Sequence, residues 1–178
     1  MTWADQGARH SSGQQMTVTR QQSRKALLVI GYGNTLRRDD GVGPRVVEAV
    51  AALGLPSVRT LACPLLTPEL AEEVSRARMV IFVDAAVDAP REVQMRRLQP
   101  AASSQVMAHA ASPATLLALA RDAFGHAPDA WWLTIPVQEL GIGEELSPLA
   151  QRGFEAAVAK IRACARGELV KCAKPSTS

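Results

Sequence analysis

The chain has 178 residues, 47% of them hydrophobic, which is enough for one domain with a substantial core. Twenty basic residues against 17 acidic ones give a formal charge of +3, spread along the chain, and aromatics make up only 4%. Without a basic stripe or stacking platforms, a nucleic-acid partner is not expected. No apolar run approaches the roughly 20 residues needed to span a bilayer, and the N-terminal segment lacks an apolar signal core. A cytoplasmic protein with no membrane partner is expected, monomeric by default. Cys63, Cys164 and Cys172 form no CxxC and no zinc spacing, so they read as reduced thiols.

Residues 1–24 are polar and rich in Gln, Ser and Arg, and read as a disordered tail in which Met16 offers an alternative start. A single domain is expected over 25–166, followed by a flexible tail over 167–178. The first strand is expected near 26–32, from the apolar run Leu27-Leu28-Val29-Ile30. Gly31 and Gly33 then permit a sharp turn, Asp39 and Asp40 follow, and Val42, Val46, Val47 and Val50 recur at helical spacing over 41–53. Gly54 and Pro56 stop that helix. Residues 57–62 read as a second strand. Residues 68–76 read as a second helix, with Thr67 as its N-cap.

Met79-Val80-Ile81-Phe82-Val83 is the clearest buried strand and runs directly into Asp84. Residues 92–98 alternate and read as a more exposed strand, and 100–107 as a loop. Ser112-Pro113 opens a third helix that Gly125 ends. Residues 131–137 read as a strand, and Ser147-Pro148 opens a last helix carrying Phe154, Val158 and Ile161. His10 and His126 read as surface residues. Alternating strands and helices predict an α/β fold with a mostly parallel sheet covered on both faces.

The order strand, glycine loop, acid pair, helix places Asp39 and Asp40 beyond the C-terminal end of a strand, the edge where open α/β sheets bind ligands. One acid of the pair, Asp39, reads as a helix N-cap that holds Asp40 in place. The stretch is not a dinucleotide fingerprint, because Leu36 occupies the third glycine position, and it lacks the GxxxxGK of a P-loop. Asp84 ends the later strand, and parallel neighbours bring their C-terminal ends together. His109, shortly before a helix, completes a possible set of two oxygens and one nitrogen. Imidazole suits nickel or zinc, and carboxylates suit harder ions. The alternatives are a turn-capping role for a lone acid and a solvent-facing His109.

As a whole, GYGNTLRRDDGVG over 31–43 resembles the signature of the hydrogenase maturation endopeptidases, G-x-G-N-x-L-x-x-D-[DE]-x-x-G after the first strand. The resemblance implies a three-layer αβα sandwich with a twisted, mixed sheet of about five strands. It also implies an endopeptidase that removes the C-terminal extension of a nickel-iron hydrogenase large-subunit precursor, with nickel carried by that precursor as the recognition element. The family's metal-binding residues correspond to Asp40, to Asp84 in its Val-Asp-Ala-Ala context, and to His109. One departure is the segment ACPLLTPELAE over 62–72, where many members carry a glycine-rich D-G-G-T turn. Cys63 in it reads as a packed small residue, with a soft ligand as the alternative. Arg37 and Arg38 read as solvated loop residues, the alternative being contact with the client subunit. Two rival functions remain open at this point: a non-catalytic precursor-binding chaperone, and a peptidyl-tRNA hydrolase-like esterase. The esterase requires a histidine just after the glycine loop, where this chain has acids.

Overall fold

The structure is a computed structural model and describes residues 27–102 and 112–167. Most of the expected tails and His109 lie outside the described residues. The elements run in the order β1 (Leu27–Tyr32), a 3-10 turn (Arg38–Gly41), α1 (Val42–Ala52), β2 (Val58–Cys63), α2 (Leu70–Ser75), β3 (Met79–Ala86), β4 (Gln94–Leu98), α3 (Pro113–Phe124), β5 (Asp129–Pro136) and α4 (Pro148–Ala165).

The five strands form one sheet in the order β2-β1-β3-β5-β4. β1 pairs in parallel with β2 and β3, β3 pairs in parallel with β5, and only β4 is antiparallel. This is the mixed, mostly parallel sheet that the alternation of elements predicts. The central strands carry apolar side chains on both faces: Val29, Ile30, Val80, Ile81, Phe82 and Val83 have no solvent exposure. On one face Val29, Ile81, Val83, Leu133 and Ile135 pack with Val42, Val46, Ala157 and Ile161 from α1 and α4. On the other, Leu28, Ile30, Val80 and Phe82 pack with Val74, Leu116 and Leu117 from α2 and α3. Each fully buried Val, Leu, Ile or Phe contributes about 1.5–3 kcal/mol, so the two faces hold the three layers together. None of the described helices is long and apolar enough to cross a membrane.

Local signals set the helix ends. The Ser112 hydroxyl accepts the Thr115 N–H at 3.1 Å, with Pro113 in the first turn. Gly125 closes α3 in the left-handed region at φ 73°. The Ser147 hydroxyl likewise accepts the Ala150 N–H at 3.2 Å to start α4. Two expected caps differ. Glu69, not Thr67, stands at the start of α2 with no side-chain cap, and Thr67 offers its carbonyl to the Leu70 N–H at 3.1 Å. Asp39 does not cap α1: Gly41 occupies that position, and the Asp39 side chain turns the other way. His126 is half-buried rather than free on the surface, with Nε2 3.3 Å from the Ala77 carbonyl.

Candidate metal and peptide site

The site begins with how closely α1 approaches the sheet. A Cβ on Gly31 would lie 2.2 Å from the Gly43 carbonyl oxygen, and one on Gly43 would lie 2.7 Å from the carbonyl oxygens of both Tyr32 and Val83. The start of α1 therefore sits directly across β1 and β3, which only glycine permits. Gly33, at φ 138°, has the Asp40 carbonyl 2.0 Å from where its Cβ would be. The loop thus folds Asp40 back over the end of β1.

Asp40 is half-buried, and its Oδ2 accepts the Asn34 N–H at 3.0 Å. Asn34 Oδ1 in turn accepts the Leu36 N–H at 3.0 Å, which closes the loop. Asp84 lies in β3, one residue beyond the Gly31–Val83 pair, so it emerges beside Tyr32. The strand does not end there, as Ala85 and Ala86 continue it against Ile135 and Pro136. The Tyr32 hydroxyl donates to Asp84 Oδ2 at 2.6 Å. Because β2 and β3 lie on opposite sides of β1, the crossovers diverge at this point. The Asp40 loop and Asp84 therefore flank the crevice where doubly wound sheets take ligands.

Electrostatics ties the two acids together. Burial pushes the Asp84 carboxyl above the usual carboxylate range. The Tyr32 hydroxyl, the Ala85 N–H and the Trp132 indole oppose that shift, and the charge of Asp40 reinforces it. The Trp132 indole nitrogen is buried and forms no hydrogen bond of proper geometry. Burial, and then the neighbouring Asp84 charge, push Tyr32 far above its ordinary value, so it stays a neutral phenol. A hollow of about 400 Å³ opens beside Asp84, lined by Ala86, Gln94, Arg96, Trp132 and Thr134 among others. The Arg96 guanidinium lies over the Trp132 ring, 4.3 Å from its centroid.

Asp39 has a different task. It has no solvent exposure. Its Oδ2 accepts the N–H groups of Gln138 (3.0 Å) and Glu139 (2.9 Å) and the Ser147 hydroxyl (2.8 Å), while Oδ1 accepts the Ser147 N–H at 2.7 Å. Burial alone would raise this carboxyl, but the four donors outweigh it and hold it below the usual range. Asp39 thereby fastens the 138–147 loop, which follows β5, to the acid loop. Arg37 and Arg38 join the same seam. Arg38 pairs with Glu139, and Arg37 reaches the Leu140 carbonyl at 3.4 Å.

Asp40 and Asp84 therefore meet at one rim of the sheet, as their positions in the sequence suggest. Among the described residues no group of three His, Cys, Asp or Glu side chains could hold a metal ion, and His109 lies outside them. Cys63 ends β2 with its thiol 4.0 Å from the Gly31 carbonyl, half-buried, and burial raises its pKa. Sequence reasoning missed Tyr32 and Trp132. Tyr32 is the only tyrosine of the chain and closes a buried strand inside the glycine loop, a position where a hydroxyl needs a partner.

Twenty-two solved protein chains match this one in structure. The hydrogenase maturating endopeptidase HybD from E. coli aligns with a TM-score of 0.63 at 23% identity, over 80% of this chain and 93% of its own. A hydrogenase 2 maturation peptidase from a Thaumarchaeota archaeon aligns with a TM-score of 0.58 at 26% identity, over 81% and 99%. The [NiFe] hydrogenase maturation protease HycI from Thermococcus kodakarensis aligns with a TM-score of 0.63 at 19% identity, over 80% and 94%. The chain has the fold of the hydrogenase maturation peptidases. No family model matches the chain, and no curated protein does. The likeness that these comparisons show therefore lies in the architecture.

Proposed function

We propose that the chain is a cytoplasmic hydrogenase maturation endopeptidase that removes the C-terminal extension from a nickel-iron hydrogenase large-subunit precursor, with the nickel arriving as part of the substrate. One observation carries this reading. Two carboxylates, Asp40 and Asp84, stand at one rim of the sheet in the fold of the maturation peptidases, close enough that the charge of Asp40 adds to the burial that pushes the Asp84 carboxyl up. A divalent cation would relieve a half-buried acid pair of this kind by supplying a counter-charge to both carboxylates. His109, three residues ahead of the Ser112 cap, is the third ligand that the resemblance supplies, and imidazole is well suited to nickel.

In this scheme the chain's own groups position and hold. Asn34 fixes Asp40 through its N–H, and Tyr32 fixes Asp84 through its hydroxyl. With the substrate in place, either of two steps would serve: a carboxylate of the pair would take a proton from water at the scissile bond, or the cation carried by the precursor would polarise the scissile carbonyl.

Incubating the purified protein with a nickel-loaded precursor tests the reading, since processing shifts the large subunit on a gel. Asp40→Ala and Asp84→Ala are expected to leave folding intact and the precursor uncut. Precursor bound but never cut by the wild type would make the chain a chaperone instead, and normal processing by both variants would remove the acids from the site.

A further inference from the structure

The loop after β1 and the loop after β5 are joined along their length. The Arg38 N–H donates to the Gly143 carbonyl at 2.7 Å, the Gly143 N–H to the Leu36 carbonyl at 2.9 Å, and the Asp39 N–H to the Glu139 carbonyl at 3.0 Å. The Asp39 carboxylate buries itself beneath this seam with four further bonds. Arg38 is held at φ 46°, a left-handed conformation that a non-glycine residue adopts only where its surroundings impose it. Yet this tightly fastened pair leaves two large aliphatic side chains in water: Leu36 is 61% exposed and Ile142 is 93% exposed.

The exposure is directional. Among the described residues six large apolar side chains are exposed. Four of them, Leu36, Leu65, Val87 and Ile142, stand in the loops that follow β1, β2, β3 and β5, on the rim that carries Asp40 and Asp84. Leu53 and Phe124 lie at the far ends of α1 and α3. A rigid loop pays little ordering entropy on binding, so its exposed aliphatic groups are available for contact at low cost.

We propose that the joined loops form a preorganised knob that docks the folded large-subunit precursor, seating Leu36 and Ile142 in an apolar hollow of that client beside the crevice. This rests on the maturation reading above. The client is a folded protein surface rather than the free extension peptide, because the two side chains are carried outward on a fixed backbone instead of lining the hollow next to Asp84. Docking here adds affinity that is equal in the ground and transition states, which appears in KM and not in kcat.

The test measures processing of nickel-loaded precursor by the wild type, Ile142→Ser, the Leu36→Ser/Ile142→Ser pair, and Phe124→Ser as a control at the far end. Removing two buried aliphatic contacts is expected to raise KM by about tenfold or more, with kcat within about twofold. Phe124→Ser is expected to match the wild type. If the double variant fails to fold, Ile142→Ser alone carries the test, with a smaller rise in KM expected. Unchanged KM in the serine variants while the wild type cuts would overturn the knob and leave the maturation reading standing. An equal rise in Phe124→Ser, or a self-association in sedimentation that the serine variants abolish, would also overturn it. A wild type that neither binds nor cuts the precursor would overturn both.

Discussion

Replacing Asp39 by asparagine changes the molecule by one atom type at a site without water, so the cost can be worked from the contacts. The carboxylate satisfies four donors, three on Oδ2 and one on Oδ1. An asparagine amide has a single acceptor oxygen. Placed at the Oδ2 position it keeps three partners, now without charge assistance, and its NH2 group faces the Ser147 N–H across the 2.7 Å that Oδ1 spans. One charge-assisted bond is replaced by a donor–donor contact and three others weaken, which together cost roughly 3 kcal/mol after relief from burying a charge. For a domain of this size that corresponds to a drop in melting temperature of about 6–12 °C. Thermal unfolding followed by circular dichroism reads the loss. Hydrogen exchange locates it, since the amides of Gln138, Glu139 and Ser147 should lose protection first. If the variant unfolds within about 0.5 kcal/mol of the wild type, or those three amides stay protected, the seam does not depend on this carboxylate.

The same group gives a pH signature. Its folded value lies below the ordinary 3.8 of the unfolded chain, so its contribution to stability is complete above that pH and disappears as pH falls through the folded value. The stability gap between wild type and Asp39→Asn should therefore narrow in acid below about pH 4, and a constant gap in denaturant titrations would contradict this. Tyr32→Phe removes the hydroxyl that steadies the Asp84 anion, so the Asp84 carboxyl should titrate still higher by carbon-detected NMR, with processing slowed about tenfold. A fall in its midpoint would disprove that role. Gly31→Ala drives a Cβ to 2.2 Å from the Gly43 carbonyl and 2.6 Å from Val47 Cγ2. Neither can retreat easily, so a loss above about 3 kcal/mol is expected in chemical denaturation, and a neutral result would mean that α1 can lift off the sheet.

Features that depend on neighbours in the chain were legible in the sequence. The buried runs of β1 and β3 show as unbroken aliphatics because both faces of a parallel sheet are covered. The Ser-Pro starts of α3 and α4 and the Gly125 stop act within one turn. Asp40 and Asp84 could be placed because parallel strands bring their carboxyl ends to one rim. Asp39 could not, since its partners lie 99 to 108 positions away and a capping role satisfies the same local pattern. Tyr32 and Asp84 meet through register across 52 positions, and no spacing rule within one segment reports that. Arg38 likewise looks like a solvated loop residue until the 138–147 loop brings Glu139 against it, whereas Arg37 stays exposed as its loop position suggests.

Strand β4 ends the sheet with only five residues, and its two arginines are consecutive, so they stand on opposite faces. Each is engaged: Arg96 rests on the Trp132 ring, and Arg97 pairs with Asp129 at 2.8 Å. A foreign strand aligning with this margin would have to strip water from a guanidinium on either side of it and disturb both attachments. The four-stranded parallel core thus has, on its β5 side, a built-in barrier against edge-to-edge aggregation, supplied by the one strand that runs the other way.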